Sequence, residues 1–317
     1  DLLQNSMTYD FFTQETIRLD DFLRRELPGR LVQEGCASNS KIRRLIVCGA
    51  VCVNGAQCRR PAFELRRRSA VSVEFDAEKF FFEKQPDDVL FEVSERDVLF
   101  EDDYLICVNK PAKFPTEETI VGGEKRDNLH DAVVRYLWKK NPALRNPPYV
   151  GIMHRLDRDT SGVILFTKQR AVNKPVQAMF ESHDFTKIYC AVCKARPGVK
   201  ITAQKKFTVE LFMARVSGKS QAGKWGEVAQ SRGGQYSRTD FMVLETRADG
   251  TIFVQAQLFT GRTHQIRVHL SHYGLPICGD VLYGGTSTDR LMLHAKSLSF
   301  EHPVTKERLC VESELPF

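Results

Sequence analysis

The 317-residue chain contains no run of eighteen apolar residues, which leaves no segment able to cross a membrane as a helix. It has no internal repeat and no low-complexity tract. It also lacks the paired spacing of a disulfide framework. Nine cysteines lie scattered along a long chain, an odd count that fits reduced thiols in a reducing compartment. Cys190 and Cys193 form a lone C-x-x-C with no second pair near it. On a strand such a pair points to opposite faces, so no metal site is expected there. The numbering opens on Asp1, and the sequence is silent on any targeting segment. What is present is ordinary for a globular protein, with 42% hydrophobic and 27% charged residues. The length suggests two domains. A net charge of +6 is compatible with a nucleic-acid partner but does not require one.

The charge is unevenly placed. Residues 15–75 hold twelve lysines and arginines against seven acidic residues, nearly all of the chain's excess. Within this segment "IRLDDFLRREL" puts Leu19, Phe22, Leu23 and Leu27 at helical spacing, and Pro28-Gly29 ends that helix. Ser38 or Ser40 is positioned to cap a second helix, "SKIRRLIVCG". "AVCVNG" then predicts a strand entering an Asn-Gly turn, with "SAVSVEF" as the returning strand. Residues 1–17 read as irregular. Lys41, Arg43 and Arg44 fall on the second helix and Arg66, Arg67 and Arg68 beyond the hairpin turn. Such a patch is suited to phosphates, because bound cations release counterions from RNA; the alternative is a solvated face. The order helix, helix, hairpin and the text "RLDDFLRREL … SKIRRLIVCGAVCVNG" resemble the small RNA-binding module of ribosomal protein S-four, over residues 17–75.

Residues 76–97 read as a linker, and a second domain is expected over 98–317. Strands "VLFE" and "LICVNK" flank an acidic turn, and "NLHDAVVRYLWKKN" predicts an amphipathic helix. The strands "GVILFTK", "KIYCAVCKA", "TDFMVLETRA", "TIFVQAQLF" and "LCVESEL" outnumber the remaining helices, "AVNKPVQAMFESH" and "THQIRVHLSHYG". Without strict strand–helix alternation, this predicts an α+β domain on a mixed, mostly antiparallel sheet.

Four stretches carry candidate chemistry. "HRLDRDTSG" (154–162) packs a histidine, two arginines and two aspartates into a polar loop between apolar strands, where catalytic groups tend to sit. Arg155 and Arg158 would keep Asp157 ionised, and an ionised carboxylate can act as a nucleophile. A surface turn with local ion pairs is the plainer alternative. "TGRTHQIRVHL" (260–270) places Gly261 at a tight turn into a helix, with Arg262 and Arg267 on different faces. Tyr189 lies in the strand "KIYCAVCKA", and "RLMLHAKSLSFEHPVT" reads as a strand followed by a His-Pro turn.

Taken together, in order and text, these stretches are similar to the pseudouridine synthases that modify large-subunit ribosomal RNA and some tRNA. The first meets the family pattern H-R-L-D-x-x-T-S-G at every fixed position, and "GLPICGDVLYGG" (274–285) also matches. The resemblance covers about residues 98–310. It implies that Asp157 is the catalytic aspartate, Tyr189 the active-site tyrosine and Arg267 the arginine paired with the aspartate. It further implies that Leu293 is the small apolar wall residue; His154, Arg155 and Arg262 of the same stretches are candidate substrate contacts. No cofactor or metal is implied, because the leaving base is retained and nothing is oxidised or reduced. The expected partner is RNA, ribosomal rather than transfer RNA, and through it pre-ribosomal particles; no membrane is expected.

Two segments depart from the family. After "NKPA" (109–112) the chain runs "KFPTEETIVGGEKRDN" instead of a short apolar run and a His-Pro pair. Residues 198–237 carry a long stretch rich in Gly, Ser and Gln. These insertions suggest a eukaryotic or organellar member with a mitochondrial or cytosolic home, acting in ribosome biogenesis. They also keep open a second class, an RNA-binding ribosome assembly factor on the same scaffold. Glycoside hydrolysis, a third class, usually needs two facing carboxylates, and only Asp159 lies near Asp157.

Overall fold

The computed structural model describes residues 6–30, 39–76, 88–118, 120–121, 124–182, 184–216 and 223–317. The chain divides into two compact units, Asp1–Pro86 and Asp87–Phe317.

In the first unit, strand β1 (Ser6–Phe12) is followed by β2 (Ile17–Arg18), helices α1 (Leu19–Glu26) and α2 (Asn39–Cys48), and strands β3 (Val51–Val53), β4 (Ala56–Gln57), β5 (Glu64–Leu65) and β6 (Ala70–Asp76). Leu19, Phe22 and Leu23 of α1 and Ile42, Leu45 and Ile46 of α2 pack on Phe11, Val51, Val53, Val71 and Val73. Each strand thus buries alternate residues, as its period of two dictates. Asn54 and Gly55 both adopt positive φ, the geometry of a two-residue hairpin turn. Three expectations are corrected. The stretch before Ile17 is not irregular, since Ser6–Phe12 pairs with β6 over its whole length. The Asn-Gly turn returns into Ala56–Gln57, while "SAVSVEF" comes back later between β1 and β3. Ser40 lies inside α2, which already begins at Asn39, and Ser38 lies outside the described residues.

The second unit is built on an eleven-stranded sheet. Its elements are β7 (Val98–Glu101), β8 (Leu105–Lys110), the short pair β9 (Ile120–Val121) and β10 (Glu124–Lys125), α3 (Leu129–Lys140), β11 (Gly151–Ile152), β12 (Ser161–Thr167), α4 (Asn173–Glu181), β13 (Thr186–Lys194), β14 (Lys206–Arg215), β15 (Trp225–Glu227), β16 (Gln235–Thr246), β17 (Thr251–Leu258), α5 (Gln265–Tyr273), β18 (Leu293–Glu301) and β19 (Arg308–Glu312). The sheet order is β15-β14-β16-β17-β13-β18-β12-β8-β7, with β11 on β12 and β19 on β18; β9 and β10 pair outside it. Its described pairings are antiparallel except β12 with β18. This is an α+β fold.

Both sheet faces are covered at the centre. Ile106, Val108, Ile164 and Phe166 meet Leu129, Val133 and Leu137 of α3, while Leu105, Cys107, Val163 and Leu165 share a core with Val176 of α4 and with Phe185. Strands β8 and β12 are therefore apolar on consecutive residues instead of alternating. Asn128 caps α3 by accepting the Asp131 N–H at 3.0 Å. The stretch 88–97, read from sequence as the end of a linker, belongs to this unit: Val93 is buried in its core and Asp88 pairs with Arg126 and Arg158. The segment 198–237 contains all of β14 and β15 and the start of β16, with β15 at the sheet edge; residues 217–222 lie outside the described residues. Among the described residues no helix is long and apolar enough to cross a membrane.

Candidate active site

The register of the sheet brings the sequence-predicted residues together. Strand β18 is flanked by β12 and β13, and its Ala295 stands opposite both Gly162 and Tyr189. Gly162 has φ +115°, and a Cβ there would lie 2.2 Å from the Ala295 carbonyl oxygen, so the close approach requires glycine. The pairing of β13 with β18 shifts by one residue after Ile188, a bulge of the kind that re-aims side chains beside a site. As a result the loop carrying Asp157, Tyr189 on β13 and Leu293 at the start of β18 face one cavity of about 620 Å³. Arg267, His264 and Arg262 close it from the start of α5.

The Asp157 loop is held from beneath. Leu156 is buried in the core. The Thr116 hydroxyl donates to the Leu156 carbonyl at 2.8 Å, the Phe114 N–H donates to the Arg158 carbonyl at 3.2 Å, and Thr160 N–H closes the turn onto the Asp157 carbonyl at 3.1 Å. Fully buried Lys110 donates to the carbonyls of Pro111, Phe114 and Arg158 at 2.7–2.9 Å. Three carbonyl acceptors match the three donors of an ammonium. Burial lowers this lysine to about 7, while Asp159 and Asp157 act in the opposite direction.

Asp157 itself keeps about a quarter of its side chain open to the cavity. Its Oδ2 is 3.9 Å from His264 Nε2 and 4.0 Å from Arg267 Nη1. Burial pushes its carboxyl above the usual carboxylate range, opposed chiefly by Arg267 and then by Lys110. Of the loop's own arginines, expected from sequence to hold it ionised, only Arg155 lowers this carboxyl, and less than Arg267 or Lys110 does. Arg158 turns away to Asp88 at 2.7 Å and Asp159 at 2.5 Å, and exposed Arg155 pairs with Glu117. Asp159, occupied by Arg158, is not a second facing carboxylate.

Arg267 is buried, and its close partner is Asp280. Nε and Nη2 donate to the two Asp280 oxygens at 2.7 and 2.8 Å, a bidentate fork. Its guanidinium also lies 5.0 Å from the centre of the Tyr283 ring. The Tyr283 hydroxyl meets His264 Nδ1 at 2.8 Å and accepts the Trp225 N–H at 2.9 Å, so strand β15 of the insertion reaches the shell around the site. His264 has φ +57° at the entry to α5. Its neighbour Gln265 fixes that entry by accepting from Thr260 and Arg262 and donating to Arg238 and Thr239.

His154 lines the cavity, but its Nε2 accepts the Leu165 N–H at 3.0 Å and its ring lies against Phe180. Burial lowers it to about 3, so it is neutral. Burial lowers His264 to about 4. It also raises Tyr189 well above the usual phenol range, helped by Asp157. Arg262 is exposed at the rim, with Nε on the Tyr236 carbonyl at 3.1 Å. Cys190 and Cys193 are buried, and among the described residues no group of three or more His, Cys, Asp or Glu side chains is placed to hold a metal ion.

In the first unit Arg66, Arg67 and Arg68 are exposed and, among the described residues, without an ion-pair partner, whereas Arg18, Arg24 and Arg25 of the α1 region pair with Asp20, Asp21, Glu15 and Glu26. Arg43 is exposed on α2; the side chains of Lys41 and Arg44 lie outside the described residues.

Sequence reasoning missed Asp280, Tyr283, Lys110 and Lys187, all in or against the site. Asp280 and Lys110 stood inside matched text, "GLPICGDVLYGG" and "NKPA", but nothing in the spacing paired either with Arg267 or with the Asp157 loop.

Comparison with known proteins gives the family. The family described as RNA pseudouridylate synthase matches residues 104–272. The ribosomal large subunit pseudouridine synthase C of Yersinia pestis is 33% identical over 309 residues, covering 94% of this chain and 88% of that protein. The RNA pseudouridine synthase YhcT of Bacillus subtilis is 32% identical, covering 74% and 73%. The solved structure of human RNA pseudouridylate synthase domain containing 4 shares the fold, with a TM-score of 0.55 at 24% identity over 70% of this chain and 89% of that one. The chain belongs to the RNA pseudouridylate synthase family, and is an RNA-modifying isomerase that converts uridine to pseudouridine.

Proposed function

We propose that the protein isomerises specific uridines of large-subunit ribosomal RNA, with Asp157 as the nucleophile. The observation that carries this is Asp157 itself: a carboxylate inside the cavity, on a loop pinned on both sides, with Arg267 at 4.0 Å and Tyr189 and Leu293 on the same cavity wall. The names of the bacterial relatives support the choice of RNA.

The reaction breaks the bond from ribose to the uracil nitrogen, turns the base and rejoins it through carbon five. The target uridine must leave its stack to enter the cavity, at a cost of a few kcal/mol offset by pocket and phosphate contacts. Asp157 attacks, or serves as the base that lets a glycal form. Arg267 stabilises its charge, itself held by Asp280. Tyr189 stacks on the base or assists removal of the carbon-five proton. Leu293 keeps water from the intermediate. Arg155, exposed at the mouth, fills the vacated stack or holds a phosphate, and exposed Arg66, Arg67 and Arg68 add phosphate contacts from a module similar to that of ribosomal protein S-four.

The test is Asp157→Asn, which keeps shape and removes charge. Wild type should form pseudouridine in large-subunit rRNA fragments, and the variant should form none while binding the same RNA with nearly unchanged affinity. Turnover by the pure variant refutes the nucleophile. RNA binding without turnover by wild type refutes the enzyme reading in favour of an assembly scaffold.

A further inference from the structure

Lys187 stands two residues before Tyr189 on β13, so the alternation of strand side chains turns both toward the cavity, which both line. Lys187 is half-buried, and the two buried cations of the site have internal partners: Lys110 has three carbonyls and Arg267 has Asp280. Lys187 has none. Among the described residues its Nζ makes no hydrogen bond and no ion pair; it lies 5.7 Å from the centre of the Phe180 ring and beside Gly261, which presents no side chain.

Burial alone lowers Lys187 from the ordinary lysine range, with no carboxylate to offset it, and its charge helps keep His154 neutral. A cation that has given up water without an internal anion is costly to maintain unless the anion arrives with the ligand. A compact ammonium on a flexible stem suits a phosphate oxygen.

We infer that Lys187 binds a backbone phosphate of the nucleotide whose uracil enters the cavity, and so fixes the ribose relative to Asp157. This rests on the proposed isomerase activity.

The test uses the full chain and two small probes, uridine and uridine 3′,5′-bisphosphate, in calorimetric titrations, with thermal melts to establish folding. Wild type should bind the bisphosphate more tightly than uridine. Lys187→Met should lose roughly tenfold or more of that phosphate-dependent gain, the scale of one charged hydrogen bond, and keep its affinity for uridine. Lys187→Arg should retain most of the gain. In parallel, the bisphosphate but not uridine should protect Lys187 of wild type from amine acylation, read by mass spectrometry. Equal binding of the two probes by wild type, or a gain retained by Lys187→Met, overturns the assignment. No turnover enters these measurements. A phosphate gain that depends on Lys187, in a protein that converts no uridine, therefore upholds the anion site and refutes only the isomerase reading.

Discussion

Replacing Asp280 should damage the enzyme more than any exposed substitution around the cavity. The Arg267–Asp280 fork has two short hydrogen bonds, and both side chains are less than a tenth exposed. Removing one member of such a pair leaves the other charge buried and uncompensated, which typically costs about 3–5 kcal/mol. Asp280→Ala should fall toward the lower end of that range, because Arg267 can then turn to Asp157, 4.0 Å away, for partial compensation. Asp280→Asn keeps an acceptor and should cost about 1–2 kcal/mol less. In a domain of this size each kcal/mol shifts Tm by about 2–4 °C, so the alanine variant should melt roughly 10 °C lower. Both tryptophans, Trp138 and Trp225, lie in the second unit, so urea titration followed by their fluorescence reports that unit directly. Freed from Asp280, Arg267 should swing toward Asp157 and pair with it. Single-turnover pseudouridine formation should then slow far more than RNA affinity falls. An alanine variant within about 1 kcal/mol of wild type and with an unchanged rate would refute the reasoning.

Arg267→Leu should destabilise the second unit by a similar amount, whereas Arg262→Leu, exposed at the rim, should stay within about 0.5 kcal/mol of wild type in the same urea titrations. Burial holds His154 at about 3 and His264 at about 4, below the ordinary value near 6.5. The unfolded chain therefore takes up protons first on acidification, and stability should fall between about pH 6.5 and 4 by roughly 1.4 kcal/mol per unit per histidine; midpoints that stay flat from pH 7 to 5 would contradict this. Changing Arg66, Arg67 and Arg68 together to Ala should reduce the slope of log affinity against log salt by roughly 0.7–0.9 per lost phosphate contact, leaving the modified uridine unchanged; equal slopes would show a merely solvated face.

Much of the second unit was legible because its signals are local. Alternation and continuous apolar runs marked β8, β12, β13 and β17. β1 was not legible: "SMTYDFF" carries no turn signal, and it is a strand because β6 offers it a partner, a tertiary effect. The return of the Asn-Gly hairpin was misplaced for the same reason, since β4 is only two residues long and the stronger pattern belongs to β6. At the site, the resemblance carried by "HRLDRDTSG" and "HQIR" singled out Asp157 and Arg267, which the residue types alone left open to a plain surface turn and a basic solvent face. The pairing of Arg158 with Asp88, seventy positions away, could not be read from either stretch.

That non-local pairing changes what the loop does. Counted along the chain, Asp157 sits between two arginines and should be a strongly stabilised carboxylate. In the fold each nearby cation is already engaged: Arg158 by Asp88 and Asp159, Arg155 by Glu117, Arg267 by Asp280, and Lys110 by three carbonyls. What reaches Asp157 is the residual field of cations whose charge is largely cancelled at closer range, against a desolvation that raises its carboxyl. A carboxylate bound tightly in an ion pair would be a poor nucleophile, because attack must first break the pair. On the proposal that Asp157 is the nucleophile, its place 4.0 Å from a guanidinium that Asp280 holds leaves it outside a tight pair and free to move. On that proposal Asp280 serves the reaction by preventing a closer Arg267–Asp157 pair.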